Sequence, residues 1–179
     1  MTTLNPDRSV NCGAMGVEWG EERIAIKPYR GTRTLRNLRE GGAAVVNLTD
    51  DILLFVQAAL ADPHPETRAA AAIDGAVIAD ACSWREVEVV SIDDSGRRAR
   101  IETRVVGRGT GREFLGLSRA ALAVLEASIL ASRTRLLPHD EIRAELGRLQ
   151  VVVDKTAGPR EREAMAFVRG RVAAAVGAP

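Results

Sequence analysis

Four basic side chains surround a glycine and two threonines in the stretch KPYRGTRTLRNL, residues 27–38. Guanidinium groups donate the charge-assisted, two-pronged hydrogen bonds that phosphate accepts well, and threonine hydroxyls add further donors. A helix that begins inside the stretch adds unpaired backbone N–H groups and a partial positive charge. The stretch therefore predicts a phosphate site, whose candidate residues are Arg30, Thr32, Arg33, Thr34 and Arg36.

A second interpretation of this stretch needs no ligand. Leu35 and Leu38 lie three residues apart, which predicts a short helix with both leucines on its inward face. One of the two threonines then caps that helix, and Arg33 and Arg36 are solvated on its outer face. Spacing alone leaves both interpretations open.

The rest of the chain offers little side-chain chemistry. Histidine occurs only at positions 64 and 139, without an evident partner, and His139 suits a helix start better than catalysis. No Cys/His spacing predicts zinc, and Asp50 and Asp51 are better explained as a helix cap than as a metal site. Any reaction is therefore expected to belong to a bound cofactor.

Composition narrows the class of protein. Lys and Arg total 25 against 24 Asp and Glu, and the aromatic residues number three Phe, two Trp and one Tyr, which disfavours a nucleic-acid binder. Cys12 and Cys82 lie far apart, as in a reducing cytoplasm. No apolar run approaches the ~20 residues that cross a bilayer, and no leader pattern occurs. We expect a cytoplasmic protein that binds neither nucleic acid nor membrane.

The first part of the chain is predicted to be mostly β. Residues 2–30 favour strands joined by turns, with residues 10–19 as one strand, followed by the helix from Thr32 to Gly41-Gly42 and a buried strand AAVVNLT. Residues 84–93 and 98–107 alternate as the strands of a hairpin, while residues 66–81 are ambiguous. The glycines of GRGTG, residues 107–111, lack a βαβ context and are interpreted as a flexible connection.

The second part is predicted to be helical. Residues 118–137 place Leu122, Leu125 and Ile129 at helical spacing behind a cap at Ser118, and two more helices follow, the last opened by Pro159. Lys155 and Thr156 fit either a second anion site or an ordinary cap and turn. We therefore predict a β domain over residues 1–112 and a helical subdomain over residues 113–179, packed on the barrel.

Five stretches carry a resemblance to a known family. They are NCGAMGVEW, IKPYRGTRTLRNLRE, AVVNLTDDILLFVQAAL, EASILASRTRLL and VDKTAGP, of which TRTLRNL followed by VVNLTDD is the most specific. Together they resemble the DUF447 family over nearly the whole chain. That family resembles FMN-binding split-barrel flavoproteins, which implies a six-stranded, Greek-key-like barrel, a homodimer, and FMN in a groove between subunits. The chain begins inside the first barrel strand of its relatives, which predicts a short strand or an upstream start.

The resemblance also assigns roles to residues. It implies that Arg30, Thr32 and Thr34 meet the FMN phosphate, with Arg33 or Arg36 helping from the same turn. It implies that backbone groups of the 14–16 segment line the isoalloxazine ring, and that polar side chains flank the ribityl chain and rim. These further residues are Ala14, Met15, Gly16, Lys27, Tyr29, Asn47 and Thr49. For Asn47, a satisfied buried amide is the rival interpretation.

Two functions follow from the implied cofactor. The first is a flavin-dependent oxidoreductase that passes hydride between NAD(P)H and a small-molecule acceptor, for which the family suggests a link to pterin-dependent one-carbon metabolism. The second is a non-catalytic FMN-binding sensor, carrier or assembly protein.

Overall fold

The structure, a computed structural model, describes residues 1–176. Its contacts divide the chain into two units. The first contains residues 1–49 and 64–114, and the second contains residues 50–63 and the chain from Leu115 onward. This division and the predicted boundary at residue 112 differ chiefly in residues 50–63, which belong with the helices.

The first unit contains nine strands and one helix. They are β1 (Thr2–Leu4), β2 (Val10–Cys12), β3 (Val17–Glu18), β4 (Arg23–Ile26), α1 (Arg33–Gly41), β5 (Ala43–Leu48), β6 (Thr67–Ala69), β7 (Ala76–Ile78), β8 (Ser83–Asp93) and β9 (Arg100–Thr110). Seven strands form a curled half-barrel sheet in the order β2-β1-β5-β8-β9-β4-β3, with antiparallel neighbours, and β6 and β7 form a separate hairpin.

Alternation along the strands creates the core of this unit. Ile24 and Ile26 of β4 and Ile101 of β9 are fully buried on the inner face of the sheet. Leu35 and Leu38 of α1 pack against them, as their spacing predicts. Helix α1 is therefore fixed against the inner face by its apolar side.

The sheet has seven strands instead of the predicted six because one predicted strand is divided into two in the structure. Residues 13–16 leave the ladder, so the stretch 10–19 divides into β2, which pairs with β1, and β3, which pairs with β4. The two short strands lie at opposite edges of the sheet. The intervening loop carries the residues predicted to line a flavin ring.

The β8–β9 hairpin confirms one prediction and corrects another. Both strands are long and paired as predicted, but Gly107 and Gly109 lie inside β9, so GRGTG is not a flexible connection. A Cβ on Gly109 would lie 2.0 Å from the ring of Trp84, its partner on β8. These glycines therefore leave room for neighbouring side chains.

The second unit contains four helices within the part of the chain that the structure describes. They are α2 (Ile52–Leu60), α3 (Arg119–Ala131), α4 (His139–Thr156) and α5 (Pro159–Val176). The predicted caps are confirmed: Asp51 accepts from the N–H groups of Leu53 and Leu54 at 3.0 and 3.1 Å, and Ser118 accepts from Ala121 at 3.1 Å.

The buried face of α3 consists mainly of small side chains. Leu122 is 50% exposed, whereas Val124 and Ala127 are fully buried, and four further alanines of the helix join them in the core. Small side chains let neighbouring helices approach closely, so the alanine-rich face packs inward. The larger residues that accompany it in the core include Ile142 and Met165.

Candidate functional site

The approach to α1 is a turn that ends in an N-cap. Gly31 has a φ of +80°, which favours glycine, and the next residue, Thr32, caps the helix. The Thr32 hydroxyl accepts from the Leu35 N–H at 3.3 Å and donates to the Tyr29 carbonyl at 2.9 Å. The hydroxyl of Thr32 is thus used within the turn, and the start of the helix presents its positive dipole end beside Arg33.

Thr34 brings the loop 13–16 to the start of this helix. Its side chain is 5% exposed, and its hydroxyl accepts from the Asn11 side chain at 3.2 Å. A Cβ on Gly13 would lie 3.4 Å from the same hydroxyl. The structure therefore places the start of the loop 13–16 close to Thr34, one of the predicted phosphate-site residues.

The loop itself leaves space for a ligand. Ala14 and Met15 are half-buried, and Gly16 is exposed with no atom within 4 Å of the position that a Cβ would take. Glycine permits close approach of a flat molecule to the backbone. These three residues and Thr32, Arg33 and Thr34 form the two sides of the candidate site.

A buried polar network fixes α1 in place, and no local pattern in the sequence indicates it. The Thr3 hydroxyl accepts from the side chains of Asn11 and Asn37, both at 3.0 Å, and Asn37 also donates to Asn5 at 2.9 Å. Thr3, Asn11 and Asn37 are each less than 10% exposed. Such a satisfied network gives the helix one position on the β1–β2 hairpin.

Two arginines of α1 lie beside acidic side chains. Arg33 and Arg36 line a cavity of about 320 Å³, which also contains Asp7 and Glu40. The hydrogen bonds from Ser9 hold the pKa of Asp7 below its ordinary value, so this carboxylate is charged beside Arg33. The outer face of α1 is therefore mixed in charge.

The tip of the β8–β9 hairpin holds the segment before α1. Arg30 donates to the Asp94 carbonyl, and Arg39 forms an ion pair with the Asp94 carboxylate. Arg98 donates to the Tyr29 hydroxyl, with its guanidinium 4.0 Å from the ring centroid. Sequence reasoning missed Asp94 and Arg98, because nothing local connects residues that are more than fifty positions from their partners.

Two of the predicted site residues, Lys27 and Asn47, have other contacts. Lys27 forms an ion pair with Glu18, which also binds Arg100 at 2.7 Å, and these hydrogen bonds lower the pKa of Glu18. Asn47 donates to the Thr2 hydroxyl at 3.1 Å and accepts from the Ile78 N–H at 2.9 Å. These bonds agree with the rival interpretation of Asn47 as a satisfied amide. Thr49 follows β5 and is half-buried.

Other candidate groups have structural contacts. The His139 ring lies 3.1 Å from the Thr134 carbonyl, and the Thr156 hydroxyl donates to the Val152 carbonyl at 3.0 Å within α4. Residues 1–176 bring together no set of three His, Cys, Asp or Glu side chains that could hold a metal ion. None of the helices in that range has the length and apolar character that crossing a bilayer requires.

Two protein-family models match this chain. The model for the N-terminal domain of DUF447, a protein of unknown function, matches residues 1–112, and the DUF447 C-terminal model matches residues 118–170. The chain belongs to the DUF447 family, as its motifs predict.

Solved structures share the fold. The FMN-bound DUF447 protein MM1853 from Methanosarcina mazei is 20% identical, with a TM-score of 0.83 over 95% of this chain and 91% of that one. The 2-nitrobenzoate 2-nitroreductase of Pseudomonas fluorescens is 21% identical, with a TM-score of 0.52 over 61% of each chain. The styrene monooxygenase flavin reductase of Pseudomonas putida S12 is 18% identical, with a TM-score of 0.51 over 63% of this chain and 78% of that one. The predicted split-barrel fold with a helical C-terminal part is confirmed.

Proposed function

We propose that the first unit binds FMN between the loop 13–16 and the start of α1. The observation that carries this proposal is the proximity of Gly13 to the Thr34 hydroxyl, which brings a loop open to a flat ligand next to a helix N-terminus suited to an anion. The fold relative from Methanosarcina mazei is described as FMN-bound, which supports the same cofactor here.

The residues present fit the two ends of the cofactor. The first-turn amides of α1, with Arg30 and Arg33, supply donors for a phosphate, and backbone groups of Ala14, Met15 and Gly16 supply a surface for the ring. Thr34 supports the phosphate end from its buried side, because its hydroxyl accepts from the Asn11 side chain inside the protein. Tyr29 and Lys27 are proposed to flank the middle of the cofactor, and Asn47 and Thr49 are retained as candidates for its polar rim.

We further propose that the protein is a flavin-dependent oxidoreductase acting on a small molecule. FMN, when bound, supplies hydride and electron transfer, so the protein needs only to bind, orient and exclude water. The reductase fold relatives support this class, and NAD(P)H is the proposed electron donor. The same split-barrel resemblance supports a homodimer.

The spectrum of freshly purified protein tests the cofactor, and anaerobic reduction tests the activity. We expect flavin absorption with FMN near one equivalent per chain, and bleaching of that absorption by NADPH or NADH. Retained flavin that neither nucleotide bleaches would contradict the oxidoreductase and favour a non-catalytic FMN-binding protein. Colourless protein that takes up no added FMN would contradict both.

A further inference from the structure

Two arginines lie directly opposite each other on the inner face of the sheet. Arg85 of β8 and Arg108 of β9 are register partners, so their side chains leave the same face. Arg85 also pairs with Val46 of β5, which belongs to the inner core. Like charges that face each other across two strands are destabilising unless something compensates them.

Arg85 has an unsatisfied donor. In the described part of the chain its Nε is buried and has no hydrogen-bond acceptor, while its Nη1 donates to the Trp84 carbonyl at 3.0 Å. A buried donor without an acceptor is costly and rare in native proteins. Within residues 1–176 neither Arg85 nor Arg108 has a carboxylate partner. Within residues 1–176 the pair therefore has no carboxylate to offset its charge, and the Arg85 Nε has no acceptor.

An aromatic ring adjoins the pair. The guanidinium of Arg85 lies 5.3 Å from the ring centroid of Trp19, in the turn after β3. Trp19 is 44% exposed, so part of its indole faces solvent. The cluster of Arg85, Arg108 and Trp19 thus combines two cations with an exposed flat apolar surface.

The cluster continues from the candidate flavin site along the chain. Gly13 lies close to the Thr34 hydroxyl at the start of α1, and six residues later the Trp19 ring lies 5.3 Å from the Arg85 guanidinium. Six residues span at most about 20 Å even when fully extended. The proposed ring-lining residues 14–16 lie between these two positions along the chain, which keeps Trp19 within about 20 Å of them.

We propose that Arg85, Arg108 and Trp19 bind an organic oxyanion, a carboxylate or phosphate group carried by a small molecule. The anion accepts from both guanidinium groups, including the unused Nε of Arg85, and the indole packs against the body of the ligand. Its role as the site that holds the substrate's charged group beside the flavin rests on the proposed function. The binding itself requires only this cluster.

Trp19 can report on its own site. The chain has two tryptophans, and Trp84→Phe leaves Trp19 as the sole one while keeping a ring above Gly109. We titrate this variant, its flavin content measured, with benzoate and separately with inorganic phosphate at constant ionic strength. A saturable change in Trp19 fluorescence is expected, and whichever probe produces it distinguishes a carboxylate site from a phosphate site.

A matched pair of variants tests the arginines. Arg108→Gln in the same background is expected to weaken probe binding about tenfold or more, because a charge-assisted contact is lost. Arg104→Gln is the control, since Arg104 lies on the same strand and is exposed, as Arg108 is, but is paired with Glu88 at 3.0 Å. Calorimetric titration of the protein with both tryptophans, with and without Arg108→Gln, gives the same comparison without the Trp84 change.

The outcomes separate this proposal from the proposed function. Absence of saturation with both probes, or equal weakening by Arg104→Gln and Arg108→Gln, would overturn the oxyanion site. Flavin-loaded protein that binds neither probe overturns it alone. Protein that binds a probe at this cluster but takes up no FMN supports the site and contradicts the proposed function.

Discussion

At the scale of single residues, Glu86 shows how a charge is held inside the first unit. Its side chain is 2% exposed, and its carboxylate accepts from the N–H groups of Ala71 and Ala72 at 3.1 and 2.5 Å and from the Trp84 indole at 3.3 Å. Burial raises the pKa of Glu86, but these hydrogen bonds outweigh it and hold the pKa below its ordinary value. The carboxylate thereby fixes the loop after β6 to β8.

Replacing this carboxylate should reduce stability in a pH-dependent way. Glu86→Gln is expected to lower the free energy of unfolding by about 1–3 kcal/mol at neutral pH, because the charged acceptor is lost. Since the folded pKa is depressed, the contribution of Glu86 is complete above its unfolded pKa of about 4.3 and disappears as the pH falls through the folded pKa. Urea unfolding at neutral and acidic pH should show the difference between the two proteins shrinking in acid.

The control for this prediction is Glu88→Gln. Glu88 is partly exposed and pairs with exposed Arg104, so its loss should cost less than about 1 kcal/mol. A Glu86→Gln difference that stays constant from neutral to acidic pH would contradict the assignment of a charged, hydrogen-bonded carboxylate.

Local residue roles were predictable from the sequence, whereas long-range ones were not. The caps at Thr32, Asp51 and Ser118 follow from the few residues around each one, and the structure confirms the caps. The contacts of Glu86 and Asp94 join positions far apart in sequence, so no local pattern indicates them. The site residues 14–16 and 30–34 were identified only through the resemblance and the phosphate chemistry of the arginine-threonine stretch.

At the scale of elements, the β8–β9 hairpin depends on Gly109, in a stretch that we interpreted from the sequence as a flexible connection. Gly109 lies opposite Trp84, whose ring occupies the space that a side chain on Gly109 would need. The ring also lies 4.3 Å from the guanidinium of Arg68 and donates to Glu86. The glycine therefore allows Trp84 to join β8 to the β6–β7 hairpin.

Adding one methyl group tests this arrangement. Gly109→Ala is expected to destabilise the protein by about 1–3 kcal/mol or more, because the new Cβ cannot avoid the Trp84 ring without moving it. Gly147→Ala is the matched control in α4, where nothing lies within 4 Å of the new atom. That change is expected to be neutral or stabilising by up to about 1 kcal/mol. Thermal unfolding of the two variants that gave equal shifts would contradict this packing.

Helix α3 shows why element existence is easier to predict than its buried face. The helix occurs where the pattern places it and begins behind Ser118, but Leu122, one of the residues at helical spacing, is half exposed. Nearly every position of α3 is apolar or small, so the periodic signal is weak. The packing of neighbouring helices, which the sequence does not display, decides that the alanines face inward.

At the scale of the whole molecule, the two units are interleaved in sequence. Helix α2 lies between β5 and β6 along the chain, yet it belongs to the unit with α3, α4 and α5. A single boundary in the sequence cannot describe two units that alternate along the chain. The composition change near residue 112 therefore identifies only one of the points at which the chain passes from one unit to the other. The split-barrel topology also required the resemblance, because alternation predicts strands and not their order in the sheet.

We propose that the loop 13–16 and the start of α1, both in the first unit, form one FMN site that recognises the phosphate. The control position is Arg143, an exposed arginine of the second unit. Riboflavin lacks only that phosphate, so comparing the two ligands isolates the contribution of the helix terminus and its arginines. Arg30→Gln combined with Arg33→Gln removes the side-chain part of this contribution, and Arg143→Gln should leave it intact.

The most direct measurement is calorimetric titration of the flavin-free protein with FMN and with riboflavin. We expect FMN to bind about 10–100-fold tighter than riboflavin, and the Arg30→Gln and Arg33→Gln pair to remove most of that preference while leaving riboflavin affinity nearly unchanged. Equal affinity for the two ligands in the unmodified protein, or a preference that survives the double variant as fully as it survives Arg143→Gln, would contradict the proposed site.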